Sequence, residues 1–523
     1  MKFLFVLLNI LLLQNFSFAQ KADPSKYAVI VNATSLKKQL TIIASDSMEG
    51  RETGAAGQRR AAAYIEQQFK NIGLQPAKAL NGYQQFYPVK VEAVTEVSLS
   101  VGNEKGIWEN DFISPVGSNE NASFTGKDIV FAGYGIDDDL YSDYENKDVS
   151  GKVVLFILGE PQKKGKYFLT ADGKESQWSK RGSGITKKLE TAASKGAVGA
   201  LIIDLNQKSF SQSYIIRAKK SSSFNAADND DSKKINYATL SHEFARKIIG
   251  ADFENIISNA NNKSRLNEIA LSLNTPVLYK YSKSSDVVNA SNILGIIEGT
   301  DKKNEYVFLT AHYDHLGIQN GQIYNGADDD GSGTVTVIQM AAAFAKAKKE
   351  GNGPRRTIVF MTVSGEEKGL WGSEYYTDNP VFPLEKTSVD LNTDMIGRVD
   401  TERKTSDTLN YVYVVGHDKL SSELPGINET ANNKNTKLVL DYMFDDPNDP
   451  NRIYYRSDHY NFARKGVPVL FFYDGMLQAD YHKPTDDVEL INWPLFEKRA
   501  QMIFYTAWEM ANRNDMLKRD KPL

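Results

Sequence analysis

Two histidines and a set of carboxylates recur in order through the second half of the chain. His312 lies in Thr310-Ala-His-Tyr-Asp314 and Asp328 in Gly326-Ala-Asp-Asp-Asp-Gly-Ser-Gly333. Glu366 and Glu367 lie in Ser364-Gly-Glu-Glu-Lys-Gly369, Asp394 in Asn392-Thr-Asp-Met-Ile-Gly397 and His482 in Asp480-Tyr-His-Lys-Pro484. Imidazole nitrogen and carboxylate oxygen are zinc ligands, and a catalytic zinc keeps one position for water. Two such ions about 3.5–4 Å apart need a carboxylate between them and terminal ligands on each. Two imidazoles and three carboxylates meet that need and leave Glu366 over. The chemistry this pattern points to is two-zinc hydrolysis.

Each fragment carries its own second reading. His312 alone would be a structural histidine, but Asp314 two residues on can accept the second imidazole N–H and fix its tautomer. An aspartate before a helix is commonly a cap, yet three in a row exceed what capping needs. The oxygen spacing of a calcium-binding helix–loop–helix is missing. Adjacent glutamates are usually a solvated pair. Here they close an apolar strand between Ser364-Gly365 and Gly369, where neighbouring side chains of an extended chain point to opposite sides. One can then ligate a metal while the other addresses its water. Of the six histidines, 312 and 482 fit the series. His315 and His459 are candidates to support the ligands from behind, and His242 and His417 fall outside it.

The elements that must position these residues follow from periodicity. From about residue 286 apolar runs alternate with helical stretches. Strands are expected at 292–297, 306–310, 357–362, 411–415 and 467–472, and helices at 333–348, 460–465 and 495–512. Such alternation argues for an α/β fold, a mostly parallel sheet flanked by helices, and strand ends are where that fold gathers its chemistry. Residues 27–75 read as helical, with Ala61, Ile65, Phe69 and Ile72 on one face and Gly73 as a C-terminal cap. Residues 83–115 read as strands. A different texture, strands at 129–135, 152–158 and 197–203 with a helix over 184–194, marks an inserted β-rich domain over 116–275. The early helices lack a sheet of their own, so 27–115 and 276–515 together are expected to make one discontinuous domain.

The chain has 523 residues, 41% hydrophobic and 24% charged, with a net charge of −4. Its bases are scattered, so no nucleic-acid partner is expected. There is no cysteine, which excludes disulfides, thiol catalysis and thiolate-bound zinc. Met1-Lys-Phe-Leu-Phe-Val-Leu-Leu-Asn-Ile-Leu-Leu-Leu13 followed by Ser17-Phe-Ala19 has the form of a secretory signal peptide over 1–19. The expectation is an exported protein, periplasmic or secreted, with no membrane attachment after cleavage.

The ordered motifs His-x-Asp, Gly-Ala-Asp-Asp, Gly-Glu-Glu, Asp-Met-Ile-Gly and Tyr-His closely resemble the co-catalytic dizinc aminopeptidase family. That family also holds glutamate carboxypeptidases, the transferrin receptor and glutaminyl cyclases. The resemblance covers roughly 27–115 and 275–515, including Ala44-Ser-Asp-Ser-Met-Glu-Gly-Arg51, and the segment between looks like a protease-associated domain. It implies two Zn2+ per chain. Asp328 would bridge them, His312 and Asp394 would complete one site, and Glu367 and His482 the other. Glu366 would be the general base, Asp314 would stand behind His312, and the Asp328–Asp329 peptide would be cis. The function implied is an exopeptidase acting on peptides, foremost an aminopeptidase. A carboxypeptidase or dipeptidase of the same family, a glutaminyl cyclase-like acyltransferase and a non-catalytic binding protein are the alternatives. Arg398 and Arg456 lie near motifs, and Met395 and Tyr481 adjoin expected ligands. The inserted segment is a candidate cover for the site mouth or a homodimer contact.

Overall fold

The computed structural model describes residues 23–180, 182–224 and 235–523. The leader expected over 1–19 lies outside them. The chain divides into two compact units. One comprises residues up to Gln85, Ser291–Ile318 and Ile323–Leu523. The other comprises Phe86–Ala290 with Gln319–Gln322.

The first unit is built on a mixed, mostly parallel sheet. Arg356–Val363, Lys302–His312, Thr387–Thr393 and Val469–Tyr473 lie side by side in that order, all parallel. Ile293–Ile297 extends one edge antiparallel to Arg356–Val363. On the other side Tyr411–Val415 runs antiparallel to Val469–Tyr473, and Val439–Asp441 closes that edge. Three of these strands are buried along their whole lengths and Lys302–His312 from Val307 onward, as expected of a parallel sheet covered on both faces. Gly333–Lys349 and Trp493–Asn512 pack on it, most of their residues buried. Ala56–Ile72 lays Ala61, Ile65 and Phe69 into the same core and ends at Gly73, whose φ of 89° only glycine adopts freely.

One central strand, Thr387–Thr393, is absent from the strands read out of periodicity. Its Asp390 and Asn392 interrupt the apolar pattern, yet both are buried because Thr310 Oγ1 donates to Asp390 Oδ1 at 2.8 Å and Asn392 Nδ2 donates to Ser457 Oγ at 2.8 Å. Cross-strand hydrogen bonds replace the missing hydrophobic signal.

The second unit is larger than the insertion expected over 116–275. It takes in the strands of 86–115 and 276–290 because Leu99, Val101, Phe112, Val277, Tyr279 and Tyr281 share one apolar cluster with residues 129–266. Its sheet is parallel at the centre. Ile129–Phe131, Val153–Ile157, Gly199–Ile203 and Tyr237–Leu240 run in chain order, with short antiparallel strands at both edges.

Candidate metal centre at the strand ends

Four adjacent parallel strands end together, and each delivers part of the expected series. His312 is the last residue of its strand and pairs with Val363. Two residues after Val363 the chain turns at Gly365, with φ 80°. Glu366 and Glu367 then follow in a 3-10 turn rather than in the extended strand end expected. Asp394 follows Thr393, and His482 lies in the segment after Tyr473. The aspartate-rich turn before Gly333–Lys349 supplies the rest.

The three aspartates of that turn do three different things. Asp328 turns away: its Oδ1 accepts Gly397 N at 2.7 Å, and its own N–H donates to Asp486. Asp330 is a brace, with Oδ1 accepting Gly333 N at 2.8 Å and Met395 N at 3.1 Å, and Oδ2 accepting His312 N at 3.2 Å. Asp329 alone faces the strand ends. Its Oδ1 is 3.2 Å from His312 Nε2 and its Oδ2 is 3.2 Å from His482 Nε2. The bridging position expected for Asp328 therefore belongs to Asp329, and the cis peptide is Asp329–Asp330 rather than Asp328–Asp329. Capping held the clue. Asp330 caps the first turn of the helix in the usual i to i+3 manner, which leaves its predecessor to face the opposite way.

Two groups of ligand atoms share Asp329. In the first, His312 Nε2 lies 3.5 Å from Asp394 Oδ1. In the second, His315 Nδ1 approaches Glu367 Oε1 at 2.7 Å, and His482 Nε2 lies 3.0 Å from Glu367 Oε2. The His315 approach is close but poorly aligned for a hydrogen bond, and both of its atoms are left without hydrogen-bond partners. His312 Nε2 and Asp329 Oδ2 are buried without hydrogen-bond partners too. Buried orphans of this kind are costly unless a cation satisfies them, so the donor set fits two divalent metal ions of the zinc type.

The tautomer of His312 is set from behind. Its Nδ1 is 3.1 Å from the Asp314 carbonyl oxygen and 3.7 Å from the carboxylate, so Nδ1 carries the proton and Nε2 keeps its lone pair. The orienting acceptor is thus the backbone of Asp314 more than its side chain. The Asp314 carboxylate instead accepts Thr53 Oγ1 at 2.7 Å and Glu366 N at 3.3 Å, tying the glutamate turn to the histidine strand. Glu366 stands with Oε2 3.9 Å from His312 Nε2. Burial raises its pKa well above the usual carboxylate range; His312 opposes the rise, and Glu367 and Asp394 add to it.

Neither of the outlying histidines joins the centre. His242 Nε2 meets the Asp204 carbonyl at 3.0 Å. His417 engages Asp445 beside Lys419 and stacks on Tyr442. His459 is buried against Phe471, and burial pushes its pKa down to about 3.

Two buried arginines hold the loops. Arg51 donates to four carbonyls: Tyr313 at 2.6 Å, Ile43 at 2.9 Å, Asn325 at 2.6 Å and Gly326 at 2.9 Å. It thereby joins the loop after His312 to the loop before Asp329. Arg499 does the same behind Asp394, donating to the carbonyls of Ile396 and Arg398 at 2.9 and 2.6 Å. A guanidinium carries five N–H donors in a fixed fork and so can serve four carbonyls at once. Arg51→Met is expected to lower the unfolding free energy by roughly 3 kcal/mol or more, since it strands buried acceptors. It is also expected to lose zinc to a competing chelator at lower concentration, with Arg51→Lys intermediate. Urea unfolding and chelator titration of the three proteins check both effects.

A model of Peptidase family M28 matches residues 292–507. A probable leucine aminopeptidase of Trichophyton verrucosum is 28% identical over 226 residues, 42% of this chain and 57% of that protein. A probable zinc metalloprotease of Pyrenophora tritici-repentis is 32% identical over 267 residues, 43% of this chain and 52% of that protein. The chain spans about half the length of the curated relatives it matches. In fold it is similar to an aminopeptidase from Aneurinibacillus sp. strain AM-1, with a TM-score of 0.55 at 17% identity, covering 96% of this chain and 99% of that one. The match to Peptidase family M28 over residues 292–507 falls on the very strands whose ends carry His312, Glu366, Glu367, Asp394 and His482, and on the Asp329 turn.

Proposed function

We propose that this chain is an exported zinc aminopeptidase that removes N-terminal residues from peptides. The observation that carries the reading is the sharing of Asp329 between two imidazole–carboxylate pairs with Glu366 beside them. His312 and Asp394 would hold one zinc ion, His482 and Glu367 the other, with Asp329 between. When bound, the ions supply Lewis acidity and lower the pKa of a water at the site. Glu366 takes the proton of the attacking water and returns it to the leaving amine. His312 is fixed for its part by the Asp314 carbonyl, and Asp314 fixes the backbone of Glu366 in turn. The names of the relatives support aminopeptidase over carboxypeptidase, and the residue 1–19 leader supports export. The second unit is read as a protease-associated domain on the resemblance.

The purified chain should carry two zinc ions and release amino acids from leucyl substrates with a free α-amine but not from their N-acetyl forms. A chelator such as 1,10-phenanthroline should abolish turnover and added Zn2+ should restore it. Chelator-insensitive turnover, or equal turnover of the N-acetyl substrates, would sink the proposal.

A further inference from the structure

The second unit holds a cavity of about 850 Å3. Ligand sites typically occupy roughly 300–1,000 Å3. It lies where open α/β sheets bind ligands, outside the carboxyl ends of parallel strands. Residues 158–160 follow the strand Val153–Ile157, residues 204–206 follow Gly199–Ile203, and both stretches line the cavity. Every residue of its wall belongs to the second unit, so none of the metal-centre residues takes part in it.

Two opposite charges are buried in that wall: Lys188 is 1% exposed and Glu160 2%. Lys188 Nζ donates to the carbonyl oxygens of Tyr134 and Gly159 and, among the described residues, forms no ion pair. An ammonium has three N–H donors, so one is left over. Burial pulls the Lys188 pKa down, with Asp143 and Glu160 opposing the fall, and an anion brought close would favour the charged form further. Glu160 accepts Ser176 N at 2.7 Å and the Ser176 hydroxyl. Both donors are neutral, and each carboxylate oxygen keeps a further lone pair. The Ser179 hydroxyl lines the same cavity, buried and without a hydrogen-bond partner.

Buried charges without counter-charges are costly. A ligand that carries both an ammonium and a carboxylate offsets the two at once. The other charges of the lining, Lys180 and Lys263 against Glu175 and Asp204, balance among the described residues and give no preference for a polyanion or a polycation. Tyr134, Tyr167 and Trp178 add aromatic surface suited to apolar side chains. A neutral sugar could use the rings but would leave both buried charges as they are.

We propose that this cavity is a second ligand site, which takes a short zwitterionic peptide or a free amino acid. The inference goes beyond the aminopeptidase reading, and the test of binding needs no turnover. The ligand has two sources, an intact peptide or a released amino acid.

Hydrogen exchange read by mass spectrometry locates the binding. The purified Glu366→Gln protein is compared with the same protein carrying Lys188→Met or Asn206→Trp. Asn206 is an exposed residue of the lining, so tryptophan there plugs the cavity without entering the core. The probes are Leu-Gly-Gly, L-leucine, N-acetyl-Leu-Gly-Gly amide and maltose. Leu-Gly-Gly should slow exchange about fivefold or more over residues 158–160 and 182–188. Either added substitution should abolish that protection, and the capped peptide and maltose should give none. If the amino acid is the source, leucine matches the tripeptide. If the peptide is, leucine needs about tenfold higher concentration for the same protection. Protection by Leu-Gly-Gly confined to the strand ends near His312 and Glu366 would overturn the second site. So would equal protection by the capped peptide or by maltose, or protection that survives Asn206→Trp; that variant decides even if Lys188→Met fails to fold. A wild type that cleaves leucyl substrates while the cavity stays empty would sink this inference alone. A filled cavity in a wild type that cleaves none would sink the aminopeptidase reading alone.

Discussion

Glu366→Gln should bind its full complement of zinc and turn over about 10³-fold more slowly than wild type. The expectation comes from placement. Glu366 is farther from His312 Nε2, at 3.9 Å, than Asp329 or Asp394 is, and it opens onto the recess. Glutamine keeps the shape and the backbone anchor, the 3.3 Å hydrogen bond from residue 366 N–H to Asp314 Oδ1. What it removes is the ability to take a proton. Metal analysis beside steady-state kinetics separates the two effects. Turnover within about tenfold of wild type would remove Glu366 from the role of base, and loss of zinc would make it a ligand.

The second large effect distinguishes neighbours. Asp329→Ala is expected to lose both metal ions and all measurable activity, because the two oxygens of Asp329 reach His312 of one group and His482 of the other. Asp328→Asn is expected to keep both ions and turn over within about tenfold of wild type, with a modest loss of stability on the order of 1–2 kcal/mol. Burial first, then the charges of Asp474 and Asp486, push the Asp328 carboxyl well above the usual range. The shift favours its neutral form, and an amide keeps the acceptor to Gly397 N. Metal content by mass spectrometry and residual kcat/KM decide. Metal loss from Asp328→Asn with retention in an Asp329 variant would reverse the assignment.

That pair also shows where sequence reasoning reached its limit. The series His312, Glu366, Glu367, Asp394 and His482 stands out in the chain because metal ligands are chemically rare at the ends of apolar strands. Choosing among three consecutive aspartates needs backbone direction, and a tight turn reverses direction within one residue. The glutamates differ in the same way. Their separation into two roles was legible from adjacency, but the 3-10 turn that achieves it was not, because Gly365 changes the path just before them. Thr387–Thr393 escaped notice because its buried polar residues are satisfied by distant partners such as Thr310 and Ser457. The boundary at Gln85 and Phe86 was missed for a related reason: strands of 86–115 look alike whichever core they join. The clamp role of Arg51 left no local signal at all, since its acceptors are carbonyls and every residue has one.

Arg51 and Gly326 are 275 positions apart in the chain. During synthesis the arginine therefore emerges long before the loops it will hold, and all of Phe86–Ala290 is made in between. The second imidazole arrives only with residue 482. A ribosome-bound or truncated chain shorter than that lacks the His482 side of the cluster, and one shorter than 326 residues also lacks an acceptor of Arg51. On the proposed aminopeptidase reading, peptide-cleaving capacity is then acquired only late in synthesis, with residue 482.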